Sequence, residues 1–272
     1  DVGIATGDYD SPAAELAEHD IVVATSEKVD SAIRNGASWV DDIGCVVVDE
    51  VHLLGQTDRG PTLDVTLAHL RRLTPGVQLV ALSATVDNAA EIADWLGAEL
   101  VESDWRPVDL RTGVADSETV TYTDGTTEAV GIDAADLPSG VDLDTETTAR
   151  LVDDALADGG QSLAFVRSRR EAESLADRLC GDDAERKRVE TALGEREQVA
   201  DEIETLDGTV TGQRLADCVR CGVAFHHAGL RSGHRALVES AFRNRTIDAI
   251  CATPTLAAGV NVPARRVVIR DQ

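Results

Sequence analysis

Short, uninterrupted apolar runs recur along the chain, each followed at once by small polar or charged residues. Six of them are Ile21-Val22-Val23-Ala24, Cys45-Val46-Val47-Val48, Val77 to Leu82, Ser162 to Val166, Val223-Ala224-Phe225 and Ala249-Ile250-Cys251, and Val267-Val268-Ile269 is a seventh. Each is too short for a helix and none alternates, which is the pattern of strands covered on both faces. Amphipathic stretches with readable ends lie between them. Ser168 with Glu171 three residues on predicts a capping box, and Gly181 a stop. Asn88 and Glu91 repeat the device, with Gly97 as the stop, and Pro61 opens a helix that carries Leu63, Leu67 and Leu70 on one face. Strand alternating with helix predicts the α/β class with parallel sheets.

The alternation breaks near residues 104–144. Val108 to Val114 reads as a strand, and Val120-Thr121-Tyr122-Thr123 runs into Asp124-Gly125, a tight hairpin turn signal. A change of domain is expected near residue 105, dividing the chain into 1–104 and 105–272. A second irregularity, 182–217, is strongly charged with helical spacing and reads as a solvated insert. A length of 272 residues accommodates two domains at about 100–200 residues each.

Composition changes the picture in one respect. With 25 Lys and Arg against 50 Asp and Glu, the chain carries −25. That normally argues against nucleic-acid partners, which are held by neutralising phosphates. The acids are spread over every segment, however, lysine occurs only at Lys28 and Lys187, and aromatic residues make up only 3%. This combination suggests adaptation to a salt-rich cytoplasm. At ~1 M salt the screening length falls to ~3 Å, and bulk charge no longer predicts partners. An acidic, polar beginning and the lack of any stretch of ~18 apolar residues argue against secretion and membrane insertion. The five cysteines, Cys45, Cys180, Cys218, Cys221 and Cys251, are odd in number and scattered, as expected of reduced thiols. Cys218-x-x-Cys221 with His226-His227 is a weak zinc signal, because zinc histidines stand three to five residues apart; helix-end packing reads better.

Chemistry in parallel sheets collects beyond the carboxyl ends of strands. The strand ends here carry Thr25-Ser26-Glu27, Asp49-Glu50-Val51-His52, Ser83-Ala84-Thr85, Arg167-Ser168, His226-His227 and Thr253-Pro254-Thr255. An acidic pair after a buried strand is the arrangement with which nucleoside triphosphatases place a magnesium acid and a base for the attacking water. Taken singly, each cluster has a plain structural reading. Asp49-Glu50 could be solvated loop acids, Thr25-Ser26 and Ser83-Ala84-Thr85 helix caps, His226-His227 a packed strand end, and Gly259 a permissive turn.

In order along the chain, the motifs acquire a family likeness. Val46-Val47-Val48-Asp49-Glu50-Val51-His52-Leu53-Leu54 resembles the DEVH box of superfamily 2 helicases, followed by Arg59-Gly60-Pro61-Thr62-Leu63 as in the Ski-type branch. Ser83-Ala84-Thr85, Phe225-His226-His227-Ala228-Gly229-Leu230 and the run Ala252 to Ala264 are similar to the later motifs of the same archaeal Ski-type DNA repair helicases. Asn261 departs from the acid of many DEAD-box relatives but agrees with that branch.

The resemblance implies two RecA-like domains, 1–104 closing the first and 105–272 most of the second, with a β-hairpin near the start of the latter. It implies a cytoplasmic, monomeric, ATP-dependent 3′–5′ DNA helicase using ATP and Mg2+ on single-stranded and forked DNA, in repair or at stalled forks, with no membrane partner. RNA is the alternative substrate, because backbone contacts do not read sequence. Asp49 would be the magnesium acid, Glu50 the general base and His52 a link to neighbouring motifs. Ser83 and Thr85 would couple the domains, and Gly259 and Asn261 would lie near the nucleotide and the domain interface. Gly7, Thr25, Ser26, Ser168, His226 and Thr253 would face the nucleic-acid backbone.

Phosphate binding in this class requires Gly-x-x-x-x-Gly-Lys-Ser/Thr, yet Glu27 precedes Lys28 and Arg186 precedes Lys187. A piece of a longer chain, inactive by itself, is therefore expected, with the arginine finger also beyond Gln272. Two other classes remain open at this point. One is a non-catalytic nucleic-acid clamp on the same fold, and the other a metal hydrolase using Asp49, Glu50 and His52.

Overall fold

A computed structural model describes residues 1–6, 13–57, 60–84, 86–103, 105–106, 108–132, 137, 141–181, 193–206, 208–256 and 263–270. The chain divides into two compact units, Asp1–Arg106 and Pro107–Gln272. The expected α/β class with parallel sheets is what both contain.

The first unit runs β1 (Val2–Ala5), α1 (Ala13–Leu16), β2 (Ile21–Ala24), α2 (Ser26–Arg34), β3 (Cys45–Val48), α3 (Gly60–Leu73), β4 (Gln78–Ala81) and α4 (Ala89–Leu96). Its strands form two separate parallel pairs, β1 with β2 and β3 with β4. Strand β1 carries no continuous apolar run because Gly3 interrupts it. That glycine is required by packing: a Cβ there would stand 2.5 Å from the His19 ring. Pro61 lies in the first turn of α3, and Leu67 and Leu70 are buried along its inner face. Gly60 also admits no side chain, since a Cβ would meet the Leu54 carbonyl oxygen at 2.5 Å. Gly97 ends α4 in the left-handed conformation at φ 63°. Asn88 does not cap that helix. Its backbone sits at φ −108°, ψ 24°, away from the extended conformation a cap needs, and its side chain makes no capping bond.

Coverage on both faces fails in this unit. Burial alternates along β1, β2 and β4, and Ile21, Val47 and Val80 are among the apolar residues left exposed. The core is correspondingly small, centred on Val48, Val51, Leu67 and Leu96.

The second unit opens with an antiparallel meander, β5 (Gly113–Ala115), β6 (Thr119–Tyr122) and β7 (Thr127–Ala129). Asp124-Gly125 makes the expected turn: Gly125 is at φ 82° and the Asp124 carboxylate accepts from the Thr126 N–H at 2.8 Å. The long strand read over Val108 to Val114 shrinks to β5. Val108, Leu110 and Val114 are all exposed, so their alternation finds no core to face.

Then follow α5 (Leu143–Ala157), β8 (Ser162–Phe165), α6 (Arg169–Gly181), α7 (Leu193–Leu206), α8 (Val210–Arg220), β9 (Val223–His226), α9 (Ser232–Arg243), β10 (Ala249–Ala252) and β11 (Arg266–Ile269). The four strands are parallel, in the order β11-β8-β10-β9. Every residue of β9 and β10 is buried, as the apolar runs require. One continuous core takes in Leu175, Leu179, Phe225, Phe242 and Ile250.

The 182–217 region is not a solvated insert. Its described part supplies Ala200, Ile203, Leu215 and Ala216 to that core. Arg196 is buried too, donating to the Thr246 carbonyl at 2.8 Å and to Asp248 at 2.7 Å. The charge density of α7 and α8 hides this face from a reading of composition, although Ala200 and Ile203 keep helical spacing. Among the described residues no helix is long and apolar enough to cross a membrane.

Candidate functional site

Strand β3 delivers Asp49 and Glu50 to its carboxyl end. The Val51 N–H bonds the Leu82 carbonyl at 2.9 Å and the Leu82 N–H bonds the Val48 carbonyl at 2.8 Å. Pairing with β4 thus extends past both strands, and Ser83 emerges on the same edge as the acidic pair. Asp49 turns one oxygen inward, its Oδ1 accepting from the Glu50 N–H at 2.9 Å. Its Oδ2 has no other partner among the described residues. Glu50 takes a left-handed backbone, φ 54° and ψ 42°, which is uncommon for a residue with a side chain. That turn leaves both carboxylates exposed at the strand's end. His52, three-quarters buried, brings Nδ1 within 3.3 Å of Glu50 Oε2. The contact is an electrostatic approach only, because the alignment does not make it a hydrogen bond.

Thr25 and Ser26 emerge where β2 ends. The Thr25 N–H continues the β1 pairing to the Ala5 carbonyl at 3.2 Å, and its Oγ1 accepts from the Lys28 N–H at 3.4 Å as the cap of α2. Thr66 Oγ1, midway along the helix that follows the acidic pair, lies 2.7 Å from the Thr62 carbonyl and 3.3 Å from the Ser26 carbonyl, so the start of α2 rests against the middle of α3. Gly7, Thr85, Gly259 and Asn261 lie outside the described residues.

In the second unit the ends of three neighbouring strands bring together Ser168, Thr253 and the two histidines. Ser168 and Glu171 form the reciprocal capping box, the Ser168 N–H giving to Glu171 at 2.9 Å and the Glu171 N–H to Ser168 Oγ at 3.3 Å. Thr253 N–H bonds the His226 carbonyl at 3.1 Å, which locks the ends of β9 and β10 together. Neither His226 nor Thr253 stands out into solvent, at 2% and 8% exposed.

The histidines point to opposite faces. His226 Nε2 lies 3.0 Å from Glu239 on α9, and His227 Nε2 lies 3.1 Å from Glu173 on α6. His227 also stacks on Phe225, with centroids 5.5 Å apart, and its Nδ1 accepts from the Gly229 N–H at 3.1 Å. Burial pushes both imidazoles below the usual histidine range, only partly offset by the facing glutamates. Of the two cysteines weighed as a zinc signal, Cys218 is in the core and Cys221 caps the end of α8.

An ion at Asp49 has a suitable donor. Mg2+ is held through one or two carboxylates, with waters and substrate phosphates completing its shell, and the open Oδ2 is such a ligand. Among the described residues no three His, Cys, Asp or Glu side chains are grouped to hold a metal by themselves. A metal here would draw the rest of its shell from phosphate and water.

Residues 3–92 match the DEAD/DEAH box helicase family. Among curated proteins, the ATP-dependent DNA helicase Hel308 of Methanocella arvoryzae is 46% identical over 275 residues, covering 99% of this chain and 35% of its own length. Its namesake from Pyrobaculum calidifontis is 43% identical, with 99% and 36% covered. That of Pyrococcus horikoshii is 41% identical, with 99% and 35% covered. Over 99% of its length the chain is similar to Hel308 helicases. It spans about a third of the length of these Hel308 relatives. Sequence reasoning had no signal for three residues that the fold brings together beside the histidines: Arg169, Glu173 and Arg214. Ordinary charged helix positions become a cluster only once α6, α8 and β9 are packed.

Proposed function

We propose that the chain is part of the motor core of an ATP-dependent 3′–5′ DNA helicase of the Ski-type branch, acting in repair or at stalled forks. The observation that carries this reading is the exposed Asp49–Glu50 pair at the end of β3, beside Ser83, in a chain alike over 99% of its length to ATP-dependent DNA helicases. Asp49 Oδ2 would hold Mg2+, which when bound neutralises phosphate charge. Glu50 would take the proton of the attacking water, with His52 linking the nucleotide site to neighbouring motifs. Ser83, with Thr85, would couple hydrolysis to movement. Thr25, Ser26, Ser168 and Thr253, with Gly7 and His226, would contribute to a backbone-reading surface, while Gly259 and Asn261 would lie near the nucleotide. Hydroxyls and amides position a strand without needing net positive charge, which reconciles the reading with −25. Single-stranded and forked DNA are the proposed substrates of a monomeric, cytoplasmic protein. This stretch alone, with no Gly-x-x-x-x-Gly-Lys, is expected to turn over no ATP.

Glu50→Gln in the whole protein tests the assignment. Hydrolysis is expected to fall by at least about a hundredfold while nucleotide affinity is retained, the signature of a lost base. Turnover surviving at the wild-type rate would remove Glu50 from that role.

A further inference from the structure

Helices α6 and α8 lie side by side and in step. Glu173 accepts from Arg214, and the Cys218 thiol lies 3.8 Å from Asp177 Oδ1; both pairs are 41 positions apart, and they stand one turn from each other. One turn further along, the same offset of 41 sets Cys180 against Cys221. The contact there follows the register. Cys180 Sγ lies 4.0 Å from the Cys218 carbonyl oxygen, which is the acceptor for the Cys221 N–H at 3.0 Å. The sulfur at the end of one helix thus rests on the last turn of the other, at the residue that closes α8.

Three thiols share this seam, and burial separates them. Cys218 is 2% exposed and turned onto Asp177, whereas Cys180 and Cys221 are both half-buried and open to a small solute. Cys251 is buried within β10, and Cys45 belongs to the other unit. Among the described residues the three do not gather as metal ligands. The pair sits at the far end of α6 from Ser168, about 20 Å along a helix of 13 residues. It therefore stands apart from the strand-end residues, and nothing in it depends on the helicase reading.

We propose that Cys180 and Cys221 are a thiol pair that a hydroperoxide converts reversibly to a disulfide, clamping the end of α6 to the end of α8. One sulfur, as its thiolate, takes the terminal oxygen of the peroxide and becomes a sulfenic acid. The second sulfur then attacks the first and displaces hydroxide. The proton of the first thiol goes to the departing alkoxide and that of the second to the hydroxide. Two thiols and one hydroperoxide thus yield one disulfide, one alcohol (water, from hydrogen peroxide) and one water. A dithiol reductant reverses the bond by exchange. Each cysteine is followed by a glycine, Gly181 and Gly222, so the backbone can adjust to disulfide geometry. Of the Cys218-x-x-Cys221 motif only the second member takes part; its partner comes from another helix.

The test exposes the whole protein to a small molar excess of hydrogen peroxide, blocks remaining thiols with N-ethylmaleimide and maps tryptic peptides by mass spectrometry. Cleavage after Arg178, Arg214 and Arg220 places Cys180, Cys218 and Cys221 on three different peptides, so the partners are read directly. A cross-linked pair of the Cys180 and Cys221 peptides is expected, and dithiothreitol should abolish it. These two thiols should be lost at least about tenfold faster than the buried Cys251. Cys180→Ser should remove the cross-link and leave Cys221 open to maleimide, whereas Cys45→Ser should leave it intact. In urea the same treatment should scramble the pairing, because the register that selects it is gone. Recovery of both Cys180 and Cys221 as maleimide adducts, or a dominant link to Cys218, would overturn the proposal. So would a Cys180–Cys221 link that forms equally well in urea, since the fold would then not be its cause.

Discussion

The two units write their strands in the same apolar vocabulary and bury them differently. In the second, β9 and β10 are buried at every position between helices, and the core is continuous from α5 to β10. In the first, β2 and β4 alternate, and Val47 remains 62% exposed and Ile21 57%. An uninterrupted apolar run states which faces a strand is able to bury. It does not state which faces are buried among the residues at hand.

The comparison can be broken most directly by mutation in the two cores. Phe242→Ala in the second unit should cost about 3–5 kcal/mol, since the ring is fully buried. Val47→Ala, on the open face of β3, should stay within about 0.5 kcal/mol. Trp39, Trp95 and Trp105 all belong to the first unit, so their fluorescence reads that unit while far-ultraviolet circular dichroism reads both. Urea titrations with the two probes would show whether the costs separate. Equal losses from the two substitutions would mean that the units are stabilised alike.

Acid should sharpen the contrast. His226 and His227 are both in the second unit, and both have folded-state values below the ordinary histidine value of 6.5. The unfolded chain therefore binds more protons as pH falls through that value, and stability declines below it. The midpoint of the dichroism transition should drop between pH 7 and 5 at constant salt, and Glu239 and Glu173 limit the decline by favouring the protonated rings. A midpoint that rises on acidification would contradict the burial account.

A smaller effect is expected at the start of α5. Asp142 caps that helix, accepting from the Thr145 N–H at 2.9 Å, and this bond holds its carboxyl below the usual range. Asp142→Ala should cost about 1 kcal/mol at neutral pH, with the difference vanishing once acid protonates the wild-type carboxylate. A difference that persisted at low pH would point to packing rather than capping.

Much of the fold was legible because its signals are local. The capping box at Ser168 and Glu171, the stop at Gly97 and the turn at Asp124-Gly125 are each decided within a few residues. Strand β1 was not legible, because Gly3 answers to His19, sixteen positions away. Asn88 failed as a cap although its residue type is right, because the backbone conformation that aims its side chain is not encoded by the dipeptide spacing. The Asp49–Glu50 ledge could be read from the run that precedes it, whereas the Arg214–Glu173–His227 cluster could not. Its members come from α8, α6 and the end of β9, and only packing makes them neighbours.

One detail of the first unit carries a cost of its own. Glu50 holds a conformation that an asparagine or glycine would adopt with less strain, and the penalty for a long side chain there is about 1–2 kcal/mol. Selection for robustness alone would drift toward the smaller residue and erase the carboxylate. On the proposed reading of Glu50 as the base, durability and reactivity are opposed at this corner.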